Sequence, residues 1–382
     1  VLENEFLRAE IQSNGSIILL DKESGELYRG LAYFEDGGDA GDGYSYSYPA
    51  FDQLLNTLGA APRISRLAAG PAVQRYRIAY DLVLPIGLTE DRRARRSELV
   101  TCPLDVVVSL GSGARRLELE ITFDNRARDH RLRAIFPTDI RSAFSHSEAQ
   151  FDVVAHPTRV PPVPAEYWVE DPPTQFPQQS FVDLSDGRRG LAILNVGLPE
   201  YEALADPQGE IKITLLRAVG YLGGEGGLQT IRSGAGPHIE TPGAQIQRRL
   251  SYRLALFPHR GTWAEAEVWR EAHAHAVPPR PRTTLAHPGD LPPRCSFLEV
   301  EGKNLVLSAV KAAEDADDTL IVRIYNPDEA PQSGRLRLFR PPTTAHVAHL
   351  DERARDPLPL APDGSVPLDL PPKRIVTLRL TW

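Results

Sequence analysis

The chain has 382 residues, and this length predicts two or three packed units rather than one core. Its 43 lysines and arginines stand against 51 aspartates and glutamates, so the formal net charge of −8 disfavours a protein that binds nucleic acid or other polyanions. No apolar run approaches the roughly 18 residues that a membrane helix needs, so we expect no membrane partner.

Strands are the main prediction along the chain. The 34 prolines are close to twice the roughly 5% average, and because proline disrupts helices they exclude an all-helical protein. Residues 117–123 alternate apolar and polar side chains, as in a strand with one buried face. Further strands are predicted at 73–84, 104–110, 190–195, 211–216 and 250–257. The pattern indicates an all-β fold with large antiparallel sheets.

One helix is predicted after these strands. Thr262 suits the N-cap position, and Glu265 three residues later completes a capping box. The helix is expected to end before Pro278, where a proline-rich segment begins that cannot donate regular ladder hydrogen bonds. This segment predicts a boundary between two domains.

A small β-sandwich is predicted beyond the boundary. Short runs with strand character, separated by turn residues, lie at 304–310, 319–325, 335–339 and 374–380. We therefore expect a large first domain over residues 1–276, a linker over 277–295 and a small terminal β-sandwich over 296–382.

The densest polar cluster lies at residues 35–44. Its glycines allow tight turns, while three aspartates and Tyr44 supply hydrogen-bond acceptors and a flat ring, which suits sugar hydroxyls or a cation. The alternative is a solvated turn whose aspartates cap their own backbone. A calcium loop is less favoured, because Asp36, Asp39 and Asp42 recur every three residues rather than every two.

Catalytic and metal-binding motifs are not found by spacing. Cys102 and Cys295 form neither a disulfide framework nor a zinc cluster, and they suit a reducing, cytoplasmic compartment. His273 and His275 point to nearly opposite sides of the predicted helix. A glycosidase needs two carboxyls roughly 5 to 9.5 Å apart, a separation that sequence spacing does not fix. Nothing in the first residues reads as a targeting segment. The absence of methionine, including an initiator, suggests either a trimmed fragment or a sequence in which methionine positions are omitted.

Several motifs occur in an order that resembles the C-terminal half of glycoside hydrolase family 38, the α-mannosidases, especially their bacterial branch. The resemblance extends from Val1 to Leu380. It is carried by an opening hairpin at 2–7, 14–16 and 21–25, by the acidic loop at 35–44, and by motifs at 181–184, 197–202, 214–217, 234–237, 241–245 and 256–259.

The resemblance implies a large sandwich similar to the galactose-mutarotase supersandwich, followed by a small terminal β-sandwich. It also implies a parent enzyme whose catalytic domain, with zinc and an aspartate nucleophile, precedes a helical domain. The family's zinc motifs, a His-x-Asp near the start of the enzyme and a His-His-Asp before the sandwich, have no counterpart at such positions here. We therefore expect no catalytic residue, no metal and no cofactor in this chain, and we expect zinc in the catalytic domain.

The resemblance also places a tyrosine loop of the sandwich over the catalytic pocket, and Tyr44 is the matching residue. Asp39 and Asp42 flank it and are expected to bind sugar hydroxyls or to orient the ring. Gln245 lies in a turn similar to one that approaches the pocket. These four residues are the predicted contacts with an α-mannoside, and the expected partners are the parent's own catalytic and helical domains.

Three functions remain open. The first is a non-catalytic region of an α-mannosidase-like glycosidase, which packs on the catalytic domain and closes part of its sugar pocket, while the parent hydrolyses with retention. The second is a free-standing carbohydrate-binding β-protein that uses residues 36–48. The third is a mutarotase-like epimerase with a histidine base and a glutamate acid, for which His146 and Glu200 are the candidates.

Overall fold

The computed structural model of the chain describes residues 1–159, 172–205, 209–223 and 236–382. These residues form two units, one made of 1–147 and 155–277 and the other of 148–154 and 278–382. Of the matched motif at 234–237, Gly234 and Ala235 lie outside the described residues. Within the described ranges, every helix is too short or too polar to cross a bilayer.

Within the described residues, nineteen strands lie wholly or partly in the first unit. In chain order they are β1 (Leu2–Glu3), β2 (Leu7–Ile11), β3 (Ile17–Asp21), β4 (Leu27–Leu31), β5 (Tyr33–Gly38), β6 (Leu55–Asn56), β7 (Arg63–Ala69), β8 (Val73–Pro85), β9 (Leu99–Gly111), β10 (Leu117–Asp124), β11 (His130–Pro137), β12 (Phe144–Ala149), β13 (Asp152–Pro157), β14 (Gln175–Pro177), β15 (Phe181–Ser185), β16 (Arg189–Asn195), β17 (Glu200–Leu204), β18 (Glu210–Ala218) and β19 (Arg249–Arg260).

These strands form three sheets. The nine-stranded sheet has the order β13-β12-β15-β16-β19-β10-β9-β8-β7, the six-stranded sheet β14-β17-β18-β11-β5-β6, and the four-stranded sheet β1-β2-β3-β4. Strand neighbours pair antiparallel, as in the β8–β9 ladder from Val73 opposite Gly111 to Pro85 opposite Leu99. The strong β8–β9 pairing explains why the predicted strands 73–84 and 104–110 are longer in the structure.

The core lies between the two larger sheets. Leu119 and Ile121 on β10 are buried together with Leu132 on β11 and Ile213 on β18, all in one apolar cluster. Along β10 the burial alternates, because successive side chains of a strand point to opposite faces. The predicted all-β fold with a large sandwich is therefore confirmed.

The helix α1 (Val268–Ala276) begins later than predicted. The capping box does form, since the Thr262 backbone N–H donates to Glu265 Oε2 at 2.8 Å. However, residues 263–267 form turns, and Glu267 has a left-handed backbone with φ 49°, which a regular helix cannot contain. The helix ends before Pro278, as predicted.

The second unit contains two sheets of its own. Its strands are β20 (Leu298–Glu301), β21 (Val306–Ala312), β22 (Thr319–Asn326), β23 (Gln332–Leu338), β24 (Thr344–Ala348), β25 (Ala354–Pro357), β26 (Val366–Leu370) and β27 (Arg374–Thr381). They pair in the orders β20-β23-β26 and β21-β22-β27-β24-β25 around a buried cluster that includes Val322, Leu336 and Leu378. Residues 277–297, between α1 and β20, are exposed and carry no helix or strand.

The second unit also includes residues 148–154, at the turn between β12 and β13. Lys373 donates to Asp152 Oδ1 at 2.6 Å and to the Val153 carbonyl at 2.9 Å. The ring of Phe151 contacts Tyr325 edge-on, with ring centroids 5.7 Å apart. These contacts explain why this short segment clusters with the terminal sandwich.

Candidate functional site

The structure places residues 35–38 of the predicted acidic loop in β5. The loop that follows this strand, residues 39–48, is called the acidic loop from here on and is held by one arginine of β18. Arg217 Nε donates to Asp39 Oδ2 at 2.7 Å, and its Nη2 donates to Asp39 Oδ1 at 3.2 Å. Nη2 also lies 2.9 Å from the carbonyl oxygens of Asp42 and Ser45. Because a guanidinium offers its donors in a fixed planar fork, these four bonds fix the loop at several points.

Asp39 and Asp42 stabilise the turn from inside. Asp39 is fully buried. The Asp42 carboxylate accepts the backbone N–H groups of Tyr44 at 2.9 Å and Ser45 at 3.0 Å. The two bonds to Asp42 match the alternative prediction, in which the aspartates cap their own backbone. They also suit a residue that orients the neighbouring Tyr44 ring.

Tyr44 differs from the loop around it because its side chain is 54% exposed. Its ring packs over Gly236, where an added Cβ would lie 2.9 Å from Tyr44 Cε2. The preceding residue, Gly43, donates its N–H to the Tyr221 carbonyl at 3.0 Å. The structure thus presents a partly exposed tyrosine side chain on a backbone that is hydrogen-bonded on both sides.

Gln245 reaches the same loop through Asp129, which the sequence did not indicate. Gln245 ends a short 3-10 helix (Pro242–Gln245) and is buried. Its Oε1 accepts the Asp129 N–H at 2.8 Å, and its Nε2 donates to Asp129 Oδ1 at 2.9 Å. The Asp129 carbonyl in turn accepts the Asp39 N–H at 2.9 Å. The two predicted segments are therefore joined by one aspartate.

Arg92 contacts the loop from a third direction. Its Nη2 donates to the Gly41 carbonyl at 3.2 Å, and its Nη1 lies 3.4 Å from Asp129 Oδ1. The guanidinium also lies 5.5 Å from the centroid of the Tyr221 ring, which stacks on His238 at 4.6 Å. Sequence reasoning missed Arg92 and Asp129 because they lie far along the chain from the loop and belong to no motif.

The loop covers a charged part of the six-stranded sheet. The Arg131 guanidinium stacks 3.3 Å from the centroid of the Tyr46 ring, and burial lowers the pKa of Arg131. Arg133 lies two residues further along β11 and binds Glu202 at 2.7 Å and Glu35 at 2.6 Å. Burial would lower the pKa of Arg133 as well, but these carboxylates outweigh it and raise that pKa.

Asp36, the first of the three aspartates, is also engaged. Its Oδ1 binds Arg95 Nη2 at 2.5 Å, and its Oδ2 lies 2.6 Å from His130 Nδ1. Among the residues that the structure describes, no three His, Cys, Asp or Glu side chains come together to hold a metal ion. These residues therefore do not fit zinc, and no chemical step through a metal is derived for them.

His146 and Glu200, the candidate epimerase pair, are not brought together. Their neighbours Ser145 and Tyr201 meet across the core, with hydroxyl oxygens 3.1 Å apart. Because side chains alternate along a strand, His146 on β12 and Glu200 on β17 point to opposite outer faces. Glu200 instead accepts the Thr214 hydroxyl at 2.6 Å.

Comparison with protein families agrees with this architecture. Residues 2–222 match the model of the glycosyl hydrolases family 38 C-terminal domain. Residues 304–378 match the model of the glycosyl hydrolases family 38 C-terminal beta sandwich domain.

Individual proteins give similar matches. A protein of Halalkalibacterium halodurans, named as a proposed mannosylglycerate hydrolase, is 31% identical over 340 residues, which are 85% of this chain and 36% of that protein. The crystal structure of an alpha-mannosidase from Enterococcus faecalis V583 matches this chain with a TM-score of 0.86 and 28% sequence identity. The match covers 99% of this chain and 42% of the mannosidase chain.

A second Enterococcus faecalis structure, of a protein in the glycosyl hydrolase family 38, covers 99% of this chain and 43% of its own at 28% identity, with a TM-score of 0.83. The chain thus spans less than half the length of each of these proteins.

Proposed function

The chain belongs to glycoside hydrolase family 38, as a C-terminal region of a mannosidase-like hydrolase, and on that premise we propose how it serves the parent enzyme. It packs against the parent's catalytic domain, and its acidic loop, residues 39–48, closes part of the sugar pocket. The observation that carries this proposal is the exposed Tyr44 on a loop whose two aspartates, Asp39 and Asp42, are already bound by Arg217 and by backbone N–H groups.

In this proposal each predicted site residue has a separate task. Tyr44 offers a hydroxyl that can donate to or accept from a sugar hydroxyl, next to an apolar ring face. Asp39 is buried against Arg217, so it acts on the substrate through the position of the loop. Because these bonds exist before substrate arrives, little entropy is lost when Tyr44 engages the sugar.

Gln245 acts in the same indirect way. Both ends of its side-chain amide are bound to Asp129, so its role in the proposal is to support the pocket wall. Asp42 keeps the N–H groups of Tyr44 and Ser45 bonded, which sets the direction of the tyrosine ring.

The chemical step belongs to the catalytic domain of the parent in this proposal. Hydrolysis of an α-mannoside with retention needs a carboxylate nucleophile and a carboxylic acid that flank the scissile bond. In the proposal both these groups, and the zinc implied by the family resemblance, belong to that domain. The contribution of this chain is to bind one side of the sugar and to exclude water from it.

Tyr44→Phe in the full-length parent tests the proposal. Loss of one hydrogen bond to a neutral hydroxyl costs about 0.5 to 1.5 kcal/mol, so kcat/KM for an aryl α-mannoside should fall roughly 2- to 13-fold. Tyr76→Phe is the matched control, since Tyr76 is a half-buried tyrosine of β8 outside the loop and should leave kcat/KM unchanged. Equal kcat/KM values for wild type and Tyr44→Phe would contradict the proposal that the loop closes part of the pocket.

A further inference from the structure

Three non-glycine residues with left-handed backbones meet beneath the acidic loop. They are Arg92 with φ 55°, Asp129 with φ 48° and Ile246 with φ 47°. This conformation is uncommon for any residue with a side chain, and it is a marked outlier for a β-branched residue such as Ile246. Backbones of this kind persist where the surrounding structure holds them, and they concentrate at functional sites.

Two of these residues, Arg92 and Asp129, belong to one hydrogen-bonded cluster with Gln245. The Asp129 carboxylate faces Arg92 at 3.4 Å and accepts from Gln245 at 2.9 Å, and Ile246 directly follows Gln245. The side chains of Arg92 and Asp129 are only 19% and 17% exposed, so bulk water does not replace these partners easily. The cluster is therefore ordered by its own contacts.

The same cluster supports the loop at two points. The Asp129 carbonyl accepts the N–H of Asp39, where the loop begins, and Arg92 donates to the carbonyl of Gly41. Three residues further on lies Tyr44. A displacement of Asp129 would move both the loop that carries Tyr44 and the turn that carries Gln245.

We propose that Asp129 is a positioning residue of the hydrolase, which sets the place of Tyr44 relative to the Gln245 turn, with Arg92 as its second support. This inference rests on the proposed function, because it assigns Asp129 a role in the pocket that the loop closes. Asp129 touches no reacting atom in this view. Its effect reaches the substrate through the geometry of the loop.

Asp139 provides a matched comparison. It also has a left-handed backbone, with φ 55°, but its side chain is exposed and lies outside the cluster. Asparagine and glycine both tolerate this backbone conformation, so Asp129→Asn, Asp129→Gly and Asp139→Asn should all fold. Asp129→Asn keeps an oxygen that can accept from Gln245, whereas Asp129→Gly removes every side-chain contact.

The experiment measures kinetics and amide hydrogen exchange in the full-length parent. In Asp129→Gly we expect kcat/KM to fall roughly tenfold, since a 1 Å misplacement can cost about 100-fold. Peptides covering residues 39–48 should exchange faster in this variant. In Asp129→Asn both kcat/KM and the exchange rate should lie between those of Asp129→Gly and wild type. Asp139→Asn should match wild type in both.

A double-mutant cycle with Tyr44→Phe separates this inference from the proposed function. If Tyr44→Phe lowers kcat/KM and its effect shrinks in the Asp129→Gly background, both are supported, because the two residues then act together. If Tyr44→Phe lowers kcat/KM but Asp129→Gly leaves kinetics and loop exchange unchanged, the positioning role of Asp129 is overturned alone. If Asp129→Gly speeds loop exchange while neither variant changes kcat/KM, the proposed function fails, and the positioning role fails with it.

Discussion

At the scale of single residues, His259 lies buried between two hydrogen-bond acceptors. Its Nε2 is 2.7 Å from Asp183 Oδ1, and its Nδ1 is 3.2 Å from the Arg260 carbonyl. Since neither a carbonyl nor an ionised carboxylate can donate, this arrangement favours the charged imidazole, in which both ring nitrogens carry protons. Burial alone would lower the pKa of His259, but the Asp183 carboxylate outweighs it and raises that pKa.

The raised pKa predicts a pH-dependent stability. Unfolded histidine titrates near pH ~6.5, so the stabilisation by the His259–Asp183 pair is complete below that pH and is lost as the pH rises through the higher folded pKa. Asp183→Asn should cost about 3 to 5 kcal/mol in mildly acidic buffer and should lose this pH dependence. Urea unfolding of the chain across the pH range measures both effects. A variant with the slope of wild type would contradict the pairing.

At the scale of the element, the acidic loop depends on Gly41, because two stretches of its backbone lie too close together there for a side chain. A Cβ added to Gly41 would lie 2.1 Å from the Ser45 carbonyl oxygen and 2.8 Å from the Ser47 nitrogen, both backbone atoms. These atoms cannot rotate away as a flexible side chain would. The loop therefore accepts only glycine at this position without a change of its backbone.

Gly41→Ala should accordingly open the loop and cost about 1 to 3 kcal/mol of stability. Urea unfolding measures that cost, and hydrogen exchange of residues 39–48 shows where the change lies. Gly59→Ala is the control, because an added Cβ at Gly59 has no neighbour within 4 Å. Equal unfolding curves for Gly41→Ala and Gly59→Ala would show that the loop adapts without cost.

The same scale shows how far the sequence predicts the structure. The alternation of apolar and polar residues at 117–123 predicts β10 (Leu117–Asp124) closely, because a half-buried strand has apolar side chains on its buried face and polar ones on the other. The predicted start of α1 is wrong, because nothing in the residue type of Glu267 indicates its left-handed backbone. Tyr44 is indicated by the polar cluster at 35–44 and by the family resemblance, and its place in the sugar pocket stays a prediction. Arg217, which holds its loop, lies 178 positions from Asp39, and such long-range contacts leave no local pattern.

At the scale of the whole molecule, the segment between the two predicted domains is open to the solvent. Residues 277–297 are exposed and outside any helix or strand, and exposed segments of this kind are preferred sites of proteolysis. Trypsin should therefore cut after Arg282 and Arg294, and should spare Arg280 because a proline follows it.

Mass spectrometry of a brief digestion checks this prediction. The expected products end at Arg282 or Arg294 while arginines inside the sheets, such as Arg133 on β11, remain uncut. Early cleavage at Arg133 with residues 277–297 intact would contradict the reading of this segment as a linker.

The left-handed backbones of Arg92, Asp129 and Ile246 also determine what a substitution at the cluster would exchange. Glycine adopts this conformation without the steric cost of a side chain. At Arg92 and Asp129 it would therefore relieve the backbone but remove the side chains that bind each other and the Gly41 carbonyl. If the cluster positions the loop as inferred, a less strained backbone at these two residues comes with a less ordered loop.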